Sequence, residues 1–275
     1  MKKMARNPFL WILLAILSII FLGPLLIMFF TSLKTASESQ SVPPTLWPQA
    51  PTLRAFDILL SAADNPIFRW FGNSMLAATL HALLVVVTAS LAGYALARME
   101  FAGRNAMFAL IISTLFVPGF IFLMPNFILL DAFGWLDTLL AIIVPGAAGA
   151  FGVFFMRQFF LGLPKEFEES ARIDGAGPFT TFLRIMLPNA APAMVTLLVL
   201  AFLANWNDFI WPLYVLFTDA RLTLPVGLTK LQGAYTIDYP VIMAGAVIAS
   251  LPVLILYIFV QRYVIEGVAS GGVKG

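Results

Sequence analysis

Six stretches of this sequence contain no Asp, Glu, Lys or Arg: Asn7–Leu33, Trp70–Ala97, Asn105–Leu130, Thr138–Met156, Ile185–Asn207 and Tyr239–Gln261. They run to 27, 28, 26, 19, 23 and 23 residues, which together fill 146 of the 275 positions. A helix of about 20 apolar residues crosses the hydrocarbon of a bilayer. Backbone polar groups in lipid must be satisfied internally, so a spanning segment is a helix or part of a closed barrel. The alternation of a barrel strand is absent. The sequence therefore predicts an all-α polytopic membrane protein with six transmembrane helices. Composition agrees, with 61% apolar and 11% charged residues against roughly 45–50% and about 25% in soluble domains. The lack of cysteine and the single histidine remove thiol catalysis, disulfides and a His/Cys metal cluster. A net charge of +2 gives no footing for nucleic acid.

Orientation follows from the cations. The N-terminus, the short loop after the second window, the 157–184 loop and the tail together hold 11 Lys and Arg, and the alternate loops hold 5. The positive-inside rule places the first set in the cytoplasm. Both termini then lie inside, as an even number of spans requires. The opening MKKMARNPFLWILLAILSIIFLG imitates a signal peptide, but its apolar run exceeds the 7–15 residues of such a region, so it reads as an uncleaved first span. Residues 1–69 comprise that span (about Phe9–Phe30) and a Pro-rich outer loop. Residues 70–265 hold the other five spans, with a cytoplasmic loop at 157–188, and 266–275 form a cytoplasmic tail. The second and third spans are predicted over Gly72–Ala97 and Ala106–Leu130. The fourth, Thr138–Met156, is rich in Gly and Ala, which lets a neighbouring helix approach closely. The last two are predicted from about Asn189 to the Trp206–Trp211 region and over Tyr239–Gln261.

One loop is more than a connector. In LPKEFEESARIDGAGPFTTFLRIMLPNAAP, Leu163–Pro192, Pro164 suits a first helical turn. Glu166, Glu168 and Glu169 favour the positive end of the helix dipole. Glu168 and Arg172 form an i,i+4 pair. Gly175 and Gly177 supply a left-handed stop, and Pro178 starts a second helix whose Phe179, Phe182, Leu183 and Met186 share one face. The pattern predicts a helix of about 11 residues, a sharp break, and an amphipathic helix leading into the fifth span.

The residue order Glu169-Ser170-Ala171, then Asp174-Gly175-Ala176, then Phe182 and Ile185-x-Leu187-Pro188 closely resembles the EAA loop of ABC importer permeases, with Ser170 in place of the first Ala. Trp206-Asn207-Asp208-Phe209, Gly93-Tyr94-Ala95-Leu96-Ala97-Arg98 and the tail from Gln261 to Gly275 resemble segments of the maltose-type, carbohydrate-uptake subfamily. The resemblance covers about residues 70–275. It implies a MetI-like permease core that pairs with a second permease subunit as a heterodimer. Two ATPase subunits carrying ATP and Mg would bind inside, and an extracytoplasmic sugar-binding protein outside. The implied coupling residues are Glu168, Glu169, Ser170, Ala171, Asp174, Gly175, Ala176, Phe182 and Pro188, with Glu169 and Ala171 at the ATPase and Phe182 holding the second helix against the membrane core. No Gly-x-x-x-x-Gly-Lys-Ser/Thr occurs, so ATP phosphates are not cradled by this chain, and it is not expected to be an enzyme or to bind a metal.

For a sugar path, Asn73, Ser74, Asn126, Asn205 and Asn207 offer amide and hydroxyl partners, although each also suits bonding between helices. His81 lies mid-span, where an ionisable residue is a functional candidate. With no carboxylate inside the windows, a neutral histidine bonded between helices is favoured. Trp206 and Trp211 suit sugar stacking or interfacial anchoring. Asp131 and Asp137 flank a span, which argues against an intramembrane aspartyl protease. The Asp219–Tyr239 loop is expected to face the binding protein. The Gly-rich tail, with little helical tendency, is expected to thread between the ATPases. The alternative reading is a secondary transporter that uses the breaks at Pro118-Gly119, Pro125 and Pro145-Gly146. It would need coupling carboxylates near mid-membrane, and the windows have none.

Overall fold

The computed structural model describes residues 8–61, 67–231 and 237–272. Lys2, Lys3 and Arg6, residues 232–236 of the last outer loop, and Val273–Gly275 of the tail lie outside them. Among the described residues every regular element is helical. Three helices are long and apolar enough to cross a membrane unbroken: Pro8–Ser32, Ile67–Arg98 and Tyr239–Ile258. The other windows are broken, which revises the expectation of uniform helices.

The third window is a pair, Arg104–Phe116 and Gly119–Ala132, bent by 96°. Pro118 has no N–H, and its ring drives the preceding residue out of the helical region. Val117 accordingly takes φ −88°, ψ 120°. The fifth window and its lead-in are bent by 76° between Pro178–Asn189 and Ala191–Trp206. The fourth window divides at Pro145-Gly146 into a single turn, Leu140–Ile143, and a 13-residue helix, Ala150–Gly162. The last helix runs without interruption from Tyr239 to Gly272, against the expected low helicity of the tail. Adding a residue to an existing helix avoids the unfavourable nucleus, so Gly267 and Gly271 each disfavour it by only about 1 kcal/mol.

The chain divides into two compact units, residues 1–68 with 224–252, and residues 69–223 with 253–275. In the first, the Pro-rich segment after the Pro8–Ser32 helix is folded about two charges. Lys34, 6% exposed, donates Nζ to the Thr45 carbonyl. Glu38 accepts from the Thr45 hydroxyl and the Gln49 N–H, both at 2.9 Å. Arg54 pairs with Asp238 at 2.9 Å. In the second unit, the Ile67–Arg98 and Ala150–Gly162 helices meet through small residues. A Cβ on Gly93 would lie 2.8 Å from the Met156 Cβ and 2.9 Å from the Arg157 nitrogen, and one on Gly152 would lie 3.0 Å from the Ala89 Cβ. Close approach of this kind is what holds helices together in lipid, where no hydrophobic drive acts between them.

Candidate functional site

The 163–190 segment is built from its caps. Its first helix is Glu166–Ile173, eight residues rather than about 11, with Glu166, Glu168 and Glu169 in the first turn and Arg172 in the last. Asp174 is the C-cap, and Gly175 follows at φ +76°. The Gly175 N–H bonds the Arg172 carbonyl at 3.1 Å and the Ala176 N–H bonds the Ala171 carbonyl at 2.9 Å. This pair of bonds is the Schellman motif, which needs a left-handed residue at Gly175. Gly177 contributes no left-handed stop; it is extended, at φ −73°, and caps the helix that Pro178 begins.

The second helix does not keep one α-helical stripe. Residues Phe182–Met186 form a π-turn. Pro188 has no N–H for the Arg184 carbonyl, and the Asn189 amide donates to the Ile185 carbonyl at 2.7 Å. The wider turn moves the buried face to Phe182, Met186 and Ala190, while Phe179 and Leu183 are 67% and 44% exposed. Phe182 packs on Tyr94 and Phe160, with ring centroids 4.9 and 6.4 Å away.

The Glu166–Ile173 helix lies against the Phe182–Met186 turn, and Ala171 is 2% exposed. Ala171 therefore faces the chain's own interior and is not open to a partner, because helical phase carries it inward while Glu169 and Ser170 stay outside. Ile173, 86% exposed, is the more open of the two exposed large apolar residues on this helix, the other being Phe167 at 37%. Glu168 turns to Arg98 at 3.4 Å and not to Arg172.

Several residues considered for a sugar path bond to carbonyls of the fold. The broken fourth window leaves carbonyls without intrahelical partners, and such groups need side-chain donors at membrane depth. Trp211 Nε1 donates to the Ala141 carbonyl at 2.8 Å, Asn205 Nδ2 to Ile142 at 2.9 Å, His81 Nδ1 to Ile143 at 2.8 Å, and the Thr88 hydroxyl to Ala147 at 2.5 Å. His81 is thus bonded between helices. Asn73 donates to the Ala220 and Leu222 carbonyls at 3.1 and 2.9 Å, beside Trp70, whose indole N–H bonds the Asp219 carbonyl at 2.7 Å. Ser74 is buried. Trp206 is 2% exposed and packs on Phe71 and Phe202. Asn207 is exposed and bonds back to the Leu203 carbonyl at 2.8 Å, and Asn126 is half-buried on the Leu123–Ala132 helix.

Asp137 ties two outer segments together. Its carboxylate accepts from the Phe217 and Thr218 N–H groups at 2.9 and 3.0 Å, from the Thr218 hydroxyl at 2.6 Å, and from Arg221 at 3.2 Å. Burial opposes ionisation there, but the Thr218 hydroxyl, the two N–H groups and Arg221 outweigh it and hold the carboxyl below its ordinary value. A depressed carboxyl stabilises the folded chain above the unfolded pKa, about 3.9, and the contribution is lost as pH falls through the lower folded value. Asp137→Asn is expected to remove about 1–2 kcal/mol at neutral pH, lowering the thermal midpoint followed by tryptophan fluorescence. The gap to the parent should hold at neutral pH and close as pH falls below about 4; a gap that stays constant would contradict this role.

Residues 86–269 match the family described as binding-protein-dependent transport system inner membrane component. The chain is 37% identical over 280 residues to the arabinooligosaccharides transport system permease protein AraQ of Halalkalibacterium halodurans, covering 100% of both. It is 32% identical over 211 residues to the lactose transport system permease protein LacG of Rhizobium radiobacter, covering 77% of this chain and 76% of that one. The chain belongs to this permease family. The crystal structure of a bacterial ABC transporter that imports the acidic polysaccharide alginate has the same fold, with TM-score 0.82 at 23% identity, covering 92% of this chain and 94% of that one. The protein is thus a multi-pass inner-membrane permease component of an ABC transport system and not an enzyme, and the secondary-transporter alternative gives way. Among the described residues no group of three or more His, Cys, Asp or Glu is placed to hold a metal. The sequence reading of this permease missed Arg98, Thr88 and Ile173. The sequence marks Arg98 as an orienting cation and as the end of the Gly93–Arg98 resemblance but shows no contact with the loop, and Ile173 carries one available signal, four residues after Glu169.

Proposed function

We propose that this permease is one half of the translocation path of an ATP-driven importer of short oligosaccharides, pairing as a heterodimer with a second permease subunit. The transport functions named for its relatives, arabinooligosaccharide and lactose transport, support the substrate class. ATP and Mg belong to two ATPase subunits on the cytoplasmic side, and an extracytoplasmic binding protein delivers the sugar. The observation that carries the coupling role is the capped Glu166–Ile173 helix, anchored inward by Ala171 and Glu168 and presenting Glu169, Ser170 and Ile173 outward. That face docks into the ATPase, while Asp174, Gly175 and Ala176 form its stop, and Phe182 and Pro188 set the lead-in to the Ala191–Trp206 helix. Both termini and the 157–188 loop are cytoplasmic, and the 219–239 loop faces the binding protein. Residues 70–265 form the permease core, after a first helix and outer loop over 1–69; the tail from 266 serves the ATPases. The interhelical bonds of His81, Asn205 and Asn73 leave Asn126 and Asn207 as the candidates for sugar contact.

One strain tests both substrate class and orientation. The chain has no cysteine, so Ser170→Cys is a unique label. Expressed in cells lacking the native copy, it should raise uptake of at least one labelled oligosaccharide well above that of cells without the chain. An impermeant thiol reagent should reach it only after the cytoplasmic face is opened. Uptake independent of the chain for every oligosaccharide, or labelling in intact cells, would overturn the reading.

A further inference from the structure

Arg98 ends the 32-residue Ile67–Arg98 helix, and its side chain is 6% exposed. Its Nε and Nη2 donate to the Phe160 carbonyl at 3.0 and 2.6 Å, and Nη2 also donates to the Leu163 carbonyl. These carbonyls lie at the C-terminal end of the Ala150–Gly162 helix, where orphan acceptors and the negative end of the dipole favour a cation. The remaining arm, Nη1, reaches the Glu168 carboxylate at 3.4 Å. One turn earlier on the same helix, Tyr94 packs on Phe160 and Phe182, and its hydroxyl lies beside Glu168. The end of this helix therefore grips the chain before the Glu166–Ile173 helix, that helix itself, and the turn after it.

We infer that Arg98 is a positioning residue that makes the Ile67–Arg98 helix the carrier of the coupling helix, so that a displacement of Glu166–Ile173 by the ATPase passes through the Arg98–Glu168 pair into that helix and not only along the flanking chain. The inference rests on the docking role proposed above. It uses what distinguishes Arg from Lys: a planar fork with five donors spreads over acceptors on two elements, whereas an ammonium is one point charge. Removing the fork takes the charged donors from the Phe160 and Leu163 carbonyls and from the Glu168 carboxylate, leaving the Phe160 carbonyl only the Leu163 N–H at 3.2 Å and Glu168 only the Tyr94 hydroxyl beside it.

The test is a double-mutant cycle on the reconstituted complex with its ATPase subunits and binding protein, reading sugar taken up per ATP hydrolysed. Arg98→Ala is expected to lower that ratio by on the order of tenfold while the ATPases still co-purify and hydrolyse ATP. Glu168→Gln should lower it less, Arg98→Lys should fall between Arg98→Ala and the parent, and the double variant should match Arg98→Ala, because paired groups are not additive. An unchanged ratio in Arg98→Ala, or losses that multiply in the double variant, would overturn the inference. Should Arg98→Ala not accumulate, Arg98→Lys with Glu168→Gln completes the cycle under the same criterion. Gly175→Val in the same preparation separates the two claims. If it keeps the parent ratio, the docking role fails; if it loses the ratio and Arg98→Ala does not, only the role of Arg98 falls.

Discussion

Gly93→Leu is expected to leave almost no correctly assembled permease. A single Cβ at this position already falls 2.8 Å from the Met156 Cβ, 2.9 Å from the Arg157 nitrogen and 3.1 Å from the Met156 carbonyl carbon. Two of those three atoms are backbone and cannot rotate away. Met156 is fully buried, so the helices must separate, and overpacking of this kind disfavours the fold by roughly 1–3 kcal/mol or more. Separation also opens the Gly152–Ala89 contact one turn away and withdraws Tyr94 and Arg98 from the loop they hold. Detergent-extracted protein in a monodisperse chromatographic peak should fall by about tenfold or more, with Gly93→Ala intermediate. Gly23→Leu is the control, since a Cβ at Gly23 meets nothing within 4 Å, and it should behave as the parent. A parent-like yield of Gly93→Leu would contradict the packing account.

The second large effect is confined to the 163–190 segment. A Cβ on Gly175 meets nothing within 4 Å, so crowding plays no part and the backbone alone decides. Its φ of +76° disfavours an ordinary L-residue by about 1–2 kcal/mol, and a β-branched one more. The Glu166–Ile173 helix has eight residues, too few to hold itself in water, so its exit turn is a large part of its definition. Gly175→Val should insert in normal amount, because the membrane helices do not depend on this turn, and should lose sugar uptake by about tenfold. Gly175→Asn should retain most uptake, because Asn tolerates the left-handed region. Equal behaviour of Val and Asn would mean that the turn geometry is not what matters.

Several features were legible in the residues because they are local. Charge-free windows marked the apolar segments, and Pro178, Asp174-Gly175 and the three glutamates marked the helix–stop–helix pattern of the loop. What escaped depends on partners distant in sequence. Arg98 and Glu168 are 70 residues apart, so local pattern marks Arg98 only as an orienting charge and the end of the Gly93–Arg98 segment, and pairs Glu168 with its helical neighbour Arg172. An amide or indole that suits a sugar hydroxyl suits an orphan carbonyl equally well. The lack of carboxylates in the windows already favoured an interhelical bond for His81, but Asn205 and Trp211 are told from sugar ligands only by the break in the fourth window, which leaves Ala141 and Ile142 needing donors as it leaves Ile143. Pro118 was visible as a break, but whether a proline gives a gentle kink or a 96° turn is set by surrounding packing. The inward face of Ala171 follows from where the helix begins and from the π-turn at Phe182–Met186, neither of which periodicity alone locates.

The central claim is that the Glu166–Ile173 helix is the part of this permease that the ATPase subunits grip. The most direct measurement is co-purification of the ATPase subunits with the tagged permease, comparing the parent with Gly175→Val at equal permease amounts. The account predicts that the variant retains a small fraction of the ATPase, about one-tenth, matching its loss of uptake. Full ATPase recovery together with full uptake would reduce the loop to a connector and contradict the account.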